Sequence, residues 1–355
     1  MPTSLNSLAA LAPSAPLRLR LDGDALVANW RWLSAQSGAA ACGAAVKADG
    51  YGLGAAGVVA RLAKAGCRDF YVATWAEAAA LGVMPEGTAL SVLHGVRAED
   101  RDAALASPAR PVLNTINQVA RWRETGRVCD VMIDTGMNRL GHSVADVEAG
   151  ALDGLTIDTL MSHLASADED VAQNEAQRMA FAALAGKTSA RRMSLANSAG
   201  ICLGPDYAFD LTRPGLALYG GVPRREAVSA IQQVVFPEAQ ILQHRSVPAG
   251  ETIGYNATFT ADRDMEVAIL NIGYGDGYLR GFSDRGSAGG GQCPVIGRVS
   301  MDLIAVDVSL TPDIGEGDWI TIDYDLPLAS AASGLSQYEL LTALGHRFDR
   351  VFDRS

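Results

Sequence analysis

Short apolar segments that alternate with Ala-rich helical segments restrict the possible folds of this chain more than any other feature. Strands in strict alternation with helices pair in parallel, and eight such units can close into a (β/α)₈ barrel. The segments are GAAVKAD near 43–49, FYVATW near 70–75, ALSVLHG near 89–95, PVLNT near 111–115, CDVMIDTG near 129–136, TIDTLMSHLAS near 156–166, RRMSLANS near 191–198 and FDLTRPGLALYG near 209–220. The alternation predicts an α/β barrel, with an open doubly wound sheet as the alternative.

The pattern changes near residue 240. The segments AQILQHRSV, MEVAILNIG, CPVIGRVSMDLIAVDVS and DWITIDYD are separated by turn signals such as PAGE and PDIGEGD, and they predict strands. GSAGGG at 286–291 predicts a hairpin tip rather than a nucleotide-binding loop, because no Gly-Lys-Ser/Thr follows it. The final YELLTALGHRFDRVF predicts a short helix and a return strand. We therefore expect a mostly β C-terminal domain.

The first residues predict a loose segment and then a strand. Residues 1–15 are rich in Ser, Ala and Pro, and LRLRLD at 17–22 alternates apolar and charged residues as a half-buried strand does. A helical pattern follows through Leu26, Trp30 and Leu33. We expect the barrel to span 16–240 and the mostly β domain 241–355, with the strand near 17–22 a candidate to pair with that domain.

Composition argues against several classes of partner. The chain has 29 Lys and Arg against 40 Asp and Glu, a net charge of −11, so it supplies no basic surface for nucleic acid. No apolar run approaches the roughly 18 residues of a membrane span, and no basic stretch precedes an N-terminal apolar run, so we expect a cytoplasmic protein. Five scattered cysteines without a CxxC pair, and five scattered histidines, predict neither a disulfide framework nor a metal site.

Polar residues stand where the predicted barrel strands end. Such loops converge on one rim in a barrel, and that rim carries the chemistry of this fold. Each residue alone has an ordinary interpretation: a solvated lysine, a satisfied core histidine, a serine that caps a helix, or an arginine in a surface ion pair. Their joint placement favours an active site. The residues are Lys47, Arg139, His163, Asn197, Ser198 and Arg213.

Lys47 and the segment 213–216 together indicate a cofactor. A lysine at the mouth of an apolar pocket loses hydration, so its pKa falls and its amine becomes a nucleophile and proton carrier. Arg213-Pro214-Gly215-Leu216 is expected to open a helix, whose backbone N–H groups favour a phosphate. A reactive amine and a phosphate site on one rim predict pyridoxal phosphate.

Eight motifs in order extend this pattern over nearly the whole chain from about residue 17. They are AVKADGYGLG (45–54), IDTGMNRLGH (133–142), SHLASAD (162–168), ANSAG (196–200), TRPGLALYG (212–220), GYNATFTA (254–261), IGYGDGYLR (272–280) and GRVSMD (297–302). The set resembles the alanine racemase family, whose members use pyridoxal phosphate and join a barrel to a β domain. The first motif resembles the family's cofactor-lysine signature.

The resemblance implies roles for individual residues. Lys47 corresponds to the Schiff-base lysine and serves one face of the substrate, while Tyr255 of the partner subunit in a homodimer serves the other. Arg213 corresponds to the arginine that faces the pyridine nitrogen, and His163 to the histidine linked to it. The implied phosphate contacts are Tyr51, Ser198, Gly215 and Leu216. The implied substrate contacts are Arg139, Tyr274, Met301 and Asp302.

Three positions depart from the family pattern. Met132 stands where many members carry a carbamylated lysine that orients the arginine equivalent to Arg139. His346 occupies the approximate place of a phosphate-binding tyrosine, and Leu53 replaces a histidine common in the signature. None of the three is one of the two implied bases.

The implied activity is the interconversion of L- and D-alanine, which supplies D-alanine for cell-wall peptidoglycan. Alternatives are a racemase of broader specificity that also accepts serine, and a non-catalytic barrel protein that binds pyridoxal phosphate. The β domain with Tyr255 counts against the non-catalytic protein. An amino-acid decarboxylase of the same barrel class is a further alternative, but it would need a partner-chain cysteine motif that none of the five cysteines matches.

Overall fold

The structure, a computed structural model, describes residues 15–353. The expectation of a loose segment at 1–15 falls almost wholly outside that range. The described chain begins with strand β1 (Leu17–Leu21) and helix α1 (Gly23–Gln36). It divides into two compact units, one formed by residues 23–234 and the other by the residues before and after them.

The first unit contains parallel strands joined by helices. Its strands are β2 (Ala41–Cys42), β3 (Ala44–Ala45), β4 (Asp69–Val72), β5 (Ala89–Val92), β6 (Arg110–Leu113), β7 (Cys129–Met132), β8 (Ile157–Met161), β9 (Arg192–Ser194) and β10 (Leu211–Thr212). Its further helices are α2 (Lys47–Tyr51), α3 (Ala55–Ala65), α4 (Trp75–Leu81), α5 (Arg101–Ala106), α6 (Ile116–Arg123), α7 (Val144–Glu148), α8 (Ala172–Ala182) and α9 (Ser198–Cys202). Strands β3 to β9 form one sheet in chain order, and each neighbouring pair is parallel.

Strand β10 closes this sheet into a barrel. Strand β10 pairs in parallel with β2, and the N–H of Gly43 continues that pairing by donating to Thr212 O at 2.9 Å. On its other side, the N–H of Arg213 donates to Ala196 O at 2.8 Å, just beyond β9. The eight predicted strands are confirmed: the first, predicted near 43–49, is β3, and the short strand β2 that precedes Gly43 was not predicted. The (β/α)₈ barrel is confirmed over the open sheet.

A buried charge network fills the interior at the amino ends of the barrel strands. Asp158 accepts from Arg110 at 2.5 Å and from Arg192 at 2.6 Å, and Arg192 also reaches Asp69 at 2.8 Å. Asp130 is fully buried and lies 3.7 Å from Arg110. Because these residues occupy the first or second position of their strands, the network lies at the end of the barrel opposite to the loops that carry Lys47.

The second unit is mostly β, as expected. Its strands after β1 are β11 (Val235–Val247), β12 (Thr252–Ile253), β13 (Phe259–Thr260), β14 (Met265–Leu270), β15 (Ser287–Ala288), β16 (Cys293–Ile296), β17 (Ile304–Asp307), β18 (Trp319–Thr321) and β19 (Asp349–Phe352). The main sheet has the order β15-β16-β17-β14-β11-β1-β19, with β18 also paired to β11. Helices α10 (Leu326–Ser333) and α11 (Gln337–Thr342) precede the return strand β19.

Strand β1 lies in the sheet of this second unit. It pairs antiparallel with β11 and parallel with β19, and its leucines at 17, 19 and 21 are buried while the arginines between them are half-buried. The unit therefore begins in sequence at β1 and resumes at Val235, five residues before the boundary expected near 240. Strand β11 pairs with β1 over residues 235–239 and with β14 over residues 241–247, and the second pairing shifts in register between Ile241 and Gln243.

Candidate active site

Lys47 stands at the carboxyl end of β3, on the first residue of a left-handed turn. Residues 48–51 all have positive φ, between 52° and 64°, although only Gly50 among them is glycine. The turn is fixed to the barrel because the N–H of Val46 donates to Tyr71 O at 2.8 Å. The sequence thus ends a strand with an abrupt reversal that leaves the Lys47 amine on the rim.

The charge of Lys47 is disfavoured by its surroundings. Burial lowers the pKa of its amine, the positive charge of Arg139 lowers that pKa further, and the carboxylate of Glu77 partly opposes both. A lowered pKa raises the fraction of neutral amine near pH 7. The Lys47 amine is therefore partly desolvated, and its neutral form is the one that can act as a nucleophile or accept a proton.

Tyr51, at the end of the same turn, packs tightly between two parts of the barrel. Its ring stacks on Tyr219 at a centroid distance of 4.7 Å, and the Tyr219 hydroxyl donates to Ala45 O at 2.7 Å. A Cβ at Gly215 would lie 2.2 Å from the Tyr51 hydroxyl oxygen. Only glycine at 215 lets the Tyr51 ring come this close to the backbone after β10.

Ser198 holds the segment that follows β10. It is not the cap of helix α9, because Asn197 occupies that position and accepts from the N–H of Gly200 at 2.8 Å. The buried Ser198 hydroxyl instead accepts from the N–H groups of Gly215 at 2.9 Å and Ala217 at 3.2 Å. Tyr51, Ser198 and Gly215 therefore form one cluster, beside the 3₁₀ turn Leu216–Tyr219.

Arg213 is buried within the barrel, so the interpretation as a surface ion pair is wrong. Its guanidinium donates to Ser162 O at 2.5 Å and to the Ser194 hydroxyl, and burial lowers its pKa. His163 has a pKa lowered to about 3, first by burial and then by the charges of Arg213, Arg139 and Lys47. The imidazole is therefore neutral at pH 7, and the three cations that act on it share one rim.

The loop that carries Arg139 is organised by a single carboxylate. Asp134 accepts from the N–H groups of three residues, 136–138, at 2.8–3.1 Å and from that of Arg139 at 3.0 Å, and these bonds lower its pKa. The Arg139 side chain is exposed, and within residues 15–353 its guanidinium has no hydrogen-bond or ion-pair partner. Met132, the position that departs from the family pattern, ends β7 and is buried.

Gln177 of α8 joins the Arg139 loop to the His163 loop. Its side chain donates to the Thr135 hydroxyl at 3.3 Å and to His163 O at 3.0 Å, and it accepts from the N–H of Ala165 at 2.9 Å. Gln177 is 1% exposed. The two loops are therefore held in one arrangement by a buried amide that the sequence alone did not reveal.

Three predicted substrate contacts lie together in the second unit. The N–H of Tyr274 donates to Ser300 O at 2.9 Å, and the next N–H donates to Met301 O at 2.8 Å. Asp302 forms an ion pair with Arg347 at 2.6 Å, and Arg347 also reaches Asp276 at 2.7 Å. These contacts place Tyr274, Met301 and Asp302 on two adjoining loops.

Tyr255 lies on the turn between β12 and β13 of the same unit. It is 65% exposed, and residues 256 and 257 after it have positive φ. A Cβ at Gly254 would lie 3.7 Å from the N atom of Arg298, in the segment that leads to Met301. His346, also in this unit, is exposed beside Arg347.

Comparison with known sequences identifies the family. Residues 21–223 match the family described as alanine racemase, N-terminal domain, and residues 234–352 match alanine racemase, C-terminal domain. The chain belongs to the alanine racemase family. It is 42% identical over 353 residues to the alanine racemase of Acidiphilium cryptum, covering 94% of this chain and 98% of that protein. It is 44% identical over 354 residues to that of Cereibacter sphaeroides, covering 95% and 98%.

Solved alanine racemase structures have the same fold. The crystal structure of alanine racemase from Bartonella henselae, with covalently bound pyridoxal phosphate, superposes with a TM-score of 0.88 at 33% identity and covers 96% of this chain and 100% of that one. Within residues 15–353 no group of three or more His, Cys, Asp or Glu side chains is arranged to hold a metal ion. In the same range no helix is both long enough and apolar enough to cross a membrane.

Proposed function

We propose that this alanine racemase family member interconverts L- and D-alanine with pyridoxal phosphate as its cofactor. The observation that carries the proposal is the Lys47 amine of lowered pKa on the barrel rim, beside Arg139, His163 and Arg213. The sequence match to alanine racemases covers both units of the chain. A non-catalytic barrel protein would not need the second unit, so the match over residues 234–352 favours the enzyme.

The residues present fit pyridoxal phosphate. Lys47 would hold its aldehyde carbon, and the cluster of Tyr51, Ser198, Gly215 and Leu216 would hold its phosphate. Arg213 would face the pyridine nitrogen; a guanidinium remains a donor and does not accept a proton there. When bound, the cofactor withdraws electrons from the substrate's Cα–H bond and so makes that proton removable.

Proton transfer requires one group on each face of the substrate. Among the rim residues discussed, Lys47 is the basic group, because His163 stays neutral with a pKa of about 3 and Arg213 stays cationic. We assign the opposite face to Tyr255, and the substrate carboxylate to Arg139 together with Met301 and Asp302. Tyr274 would line the entrance.

The proposal includes a homodimer whose two active sites are shared. The exposed large side chains Tyr255 and Met301, 65% and 54% exposed, support a surface that meets another copy. Tyr255, Tyr274, Met301 and Asp302 would then serve Lys47 of the partner chain. We further propose a cytoplasmic enzyme that supplies D-alanine for peptidoglycan.

Hybrid dimers test the shared site. Lys47→Ala and Tyr255→Phe should each inactivate the homodimer, since each removes one proton carrier. Mixing the two variants after reversible dissociation should restore about a quarter of wild-type racemisation, because half of the dimers are hybrids and each hybrid has one intact site. No recovery, with hybrid dimers shown by native mass spectrometry, would refute the shared site.

Chiral chromatography of products from a panel of L-amino acids tests the substrate. Racemisation of alanine above all others supports the proposal, and comparable racemisation of serine would instead assign a broader racemase. No racemisation of any amino acid by a yellow, cofactor-loaded protein would favour the non-catalytic alternative.

A further inference from the structure

The left-handed turn after Lys47 is held from outside by a residue that the proposed function does not use. Glu77 of α4 accepts through Oε1 from the N–H of Ala48, at 2.8 Å. Ala48 directly follows Lys47. Through Oε2 the same carboxylate accepts from the N–H groups of Ala73 at 2.6 Å and Thr74 at 3.3 Å. One carboxylate therefore links the end of β4 to the backbone that presents the lysine.

The turn needs such support. Ala48, Asp49 and Tyr51 adopt a left-handed conformation that is unfavourable for residues other than glycine. Asp49 holds one side of the turn, since its carboxylate accepts from the N–H of Ala55 at 2.8 Å. Glu77 holds the other side.

Charge gives Glu77 a second connection to Lys47. The other charged or titratable groups at this end of the barrel include Arg139 and Asp134 on the loop after β7, His163 on the loop after β8, Arg213 after β10, and Asp49 and Tyr51 in the turn itself. The guanidinium charge of Arg139 lowers the pKa of Lys47, whereas the Glu77 carboxylate raises it. His163 is neutral at pH 7, and Asp49 and Asp134 accept from backbone N–H groups of their own loops, so Glu77 is the carboxylate whose charge acts on the Lys47 amine.

We propose that Glu77 is a positioning residue that fixes the backbone next to Lys47 and places a negative charge beside the Lys47 amine, opposed to that of Arg139. It touches no substrate or cofactor atom in this assignment. The catalytic consequence rests on the proposed function, in which Lys47 carries the cofactor. The effect on the Lys47 amine does not rest on the proposed function, and it can be measured without the cofactor.

The chain offers an unusually simple readout, because its sequence contains only three lysines, at 47, 64 and 187. Trace labelling with acetic anhydride over a pH series, followed by mass spectrometry, gives the pKa of each amine in the full-length, cofactor-free protein. Lys64 is exposed and serves as the internal reference. Circular dichroism melts of each variant confirm that it is folded.

Glu77→Gln keeps the size of the side chain and removes its charge. We expect the pKa of Lys47 to fall by roughly half a unit to one unit, which makes the amine about 3- to 10-fold more reactive relative to Lys64 near pH 7. In the cofactor-loaded enzyme the same variant should lower kcat more than it raises KM, since the substrate contacts remain.

Thr74→Ala is the matched control. The Thr74 hydroxyl accepts from the N–H of Glu77 at 3.2 Å, so its removal weakens the same helix cap while Glu77 keeps its charge and its reach to Ala48. Lys47 reactivity in Thr74→Ala should match the wild type. Equal changes in the two variants would reduce Glu77 to an ordinary helix cap and overturn the proposal.

Glu77→Asp keeps the inference testable if Glu77→Gln does not fold. An aspartate retains the charge but is one methylene shorter, so the pKa of Lys47 should stay near that of the wild type while the Ala48 amide exchanges its hydrogen faster. A wild-type exchange rate at Ala48 would contradict the positioning role. A wild-type protein without racemase activity would refute the proposed function, but it would leave the labelling result unaffected.

Discussion

Replacement of Gly215 by alanine tests how closely the Tyr51 ring is confined. The added Cβ would lie 2.2 Å from the Tyr51 hydroxyl oxygen and 2.9 Å from Cζ, well inside van der Waals contact. The φ of Gly215 is −131°, outside the left-handed region that favours glycine, so the close approach of Tyr51 is the main obstacle to a side chain at 215. Tyr51 is 6% exposed and stacked on Tyr219, so its ring cannot move aside freely. We expect a loss of about 1–3 kcal/mol in the free energy of unfolding.

A double-mutant cycle gives the decisive measurement. Tyr51→Phe removes the oxygen at 2.2 Å but keeps the ring, so part of the clash in Gly215→Ala should disappear. The double variant should therefore be more stable than the sum of the single changes predicts, by about 1 kcal/mol. Urea unfolding of all four proteins without added cofactor measures this coupling. Strictly additive losses would show that the ring moves away without cost, and would refute the reasoning.

Two further predictions concern buried charges. Asp158→Asn should lower the free energy of unfolding by about 3–5 kcal/mol, because it leaves Arg110 and Arg192 without their shared carboxylate. Asp130→Asn should lower it far less, because burial already raises the pKa of Asp130. Equal losses in urea unfolding would contradict this prediction. The pKa of His163 is about 3 in the folded protein and 6.5 in the unfolded chain. Between pH 6.5 and pH 3 the imidazole therefore binds a proton only when the chain unfolds, so the free energy of unfolding decreases as the pH falls below 6.5. From pH 7 to pH 5 the free energy of unfolding, measured with urea, should decrease by about 2 kcal/mol more in the wild type than in His163→Gln. Equal decreases in the two proteins would show that the imidazole is protonated in the folded chain.

The sequence predicted the barrel and its rim because both depend on local order along the chain. An apolar strand that ends in Lys47, or in the segment before Arg213, is visible as a pattern of neighbours. The Thr74-x-x-Glu77 spacing could likewise have been recognised as a helix cap. The reach of Glu77 to Ala48 could not, because it joins residues 29 apart across two loops.

Other features remained hidden for the same reason. Gln177 is an amide on an amphipathic helix, and nothing in its neighbours along the chain shows that it is buried between two loops. The interior network joins Asp69 to Arg192 over 123 positions, and its charges appear in sequence as isolated polar residues within apolar strands. Sequence periodicity assigns a face to a residue, but it does not identify the partner across the barrel.

The position of β1 has a consequence for how the chain folds during synthesis. Leu17 pairs with Ala239, so β1 waits for more than two hundred further residues before β11, its antiparallel neighbour, is synthesised. At 5–20 residues per second that delay is roughly 10–40 s. The barrel residues 23–234 are all made within this interval and can fold first. Strand β1 then enters its sheet late, first beside β11 and afterwards beside β19, which pairs with its other edge.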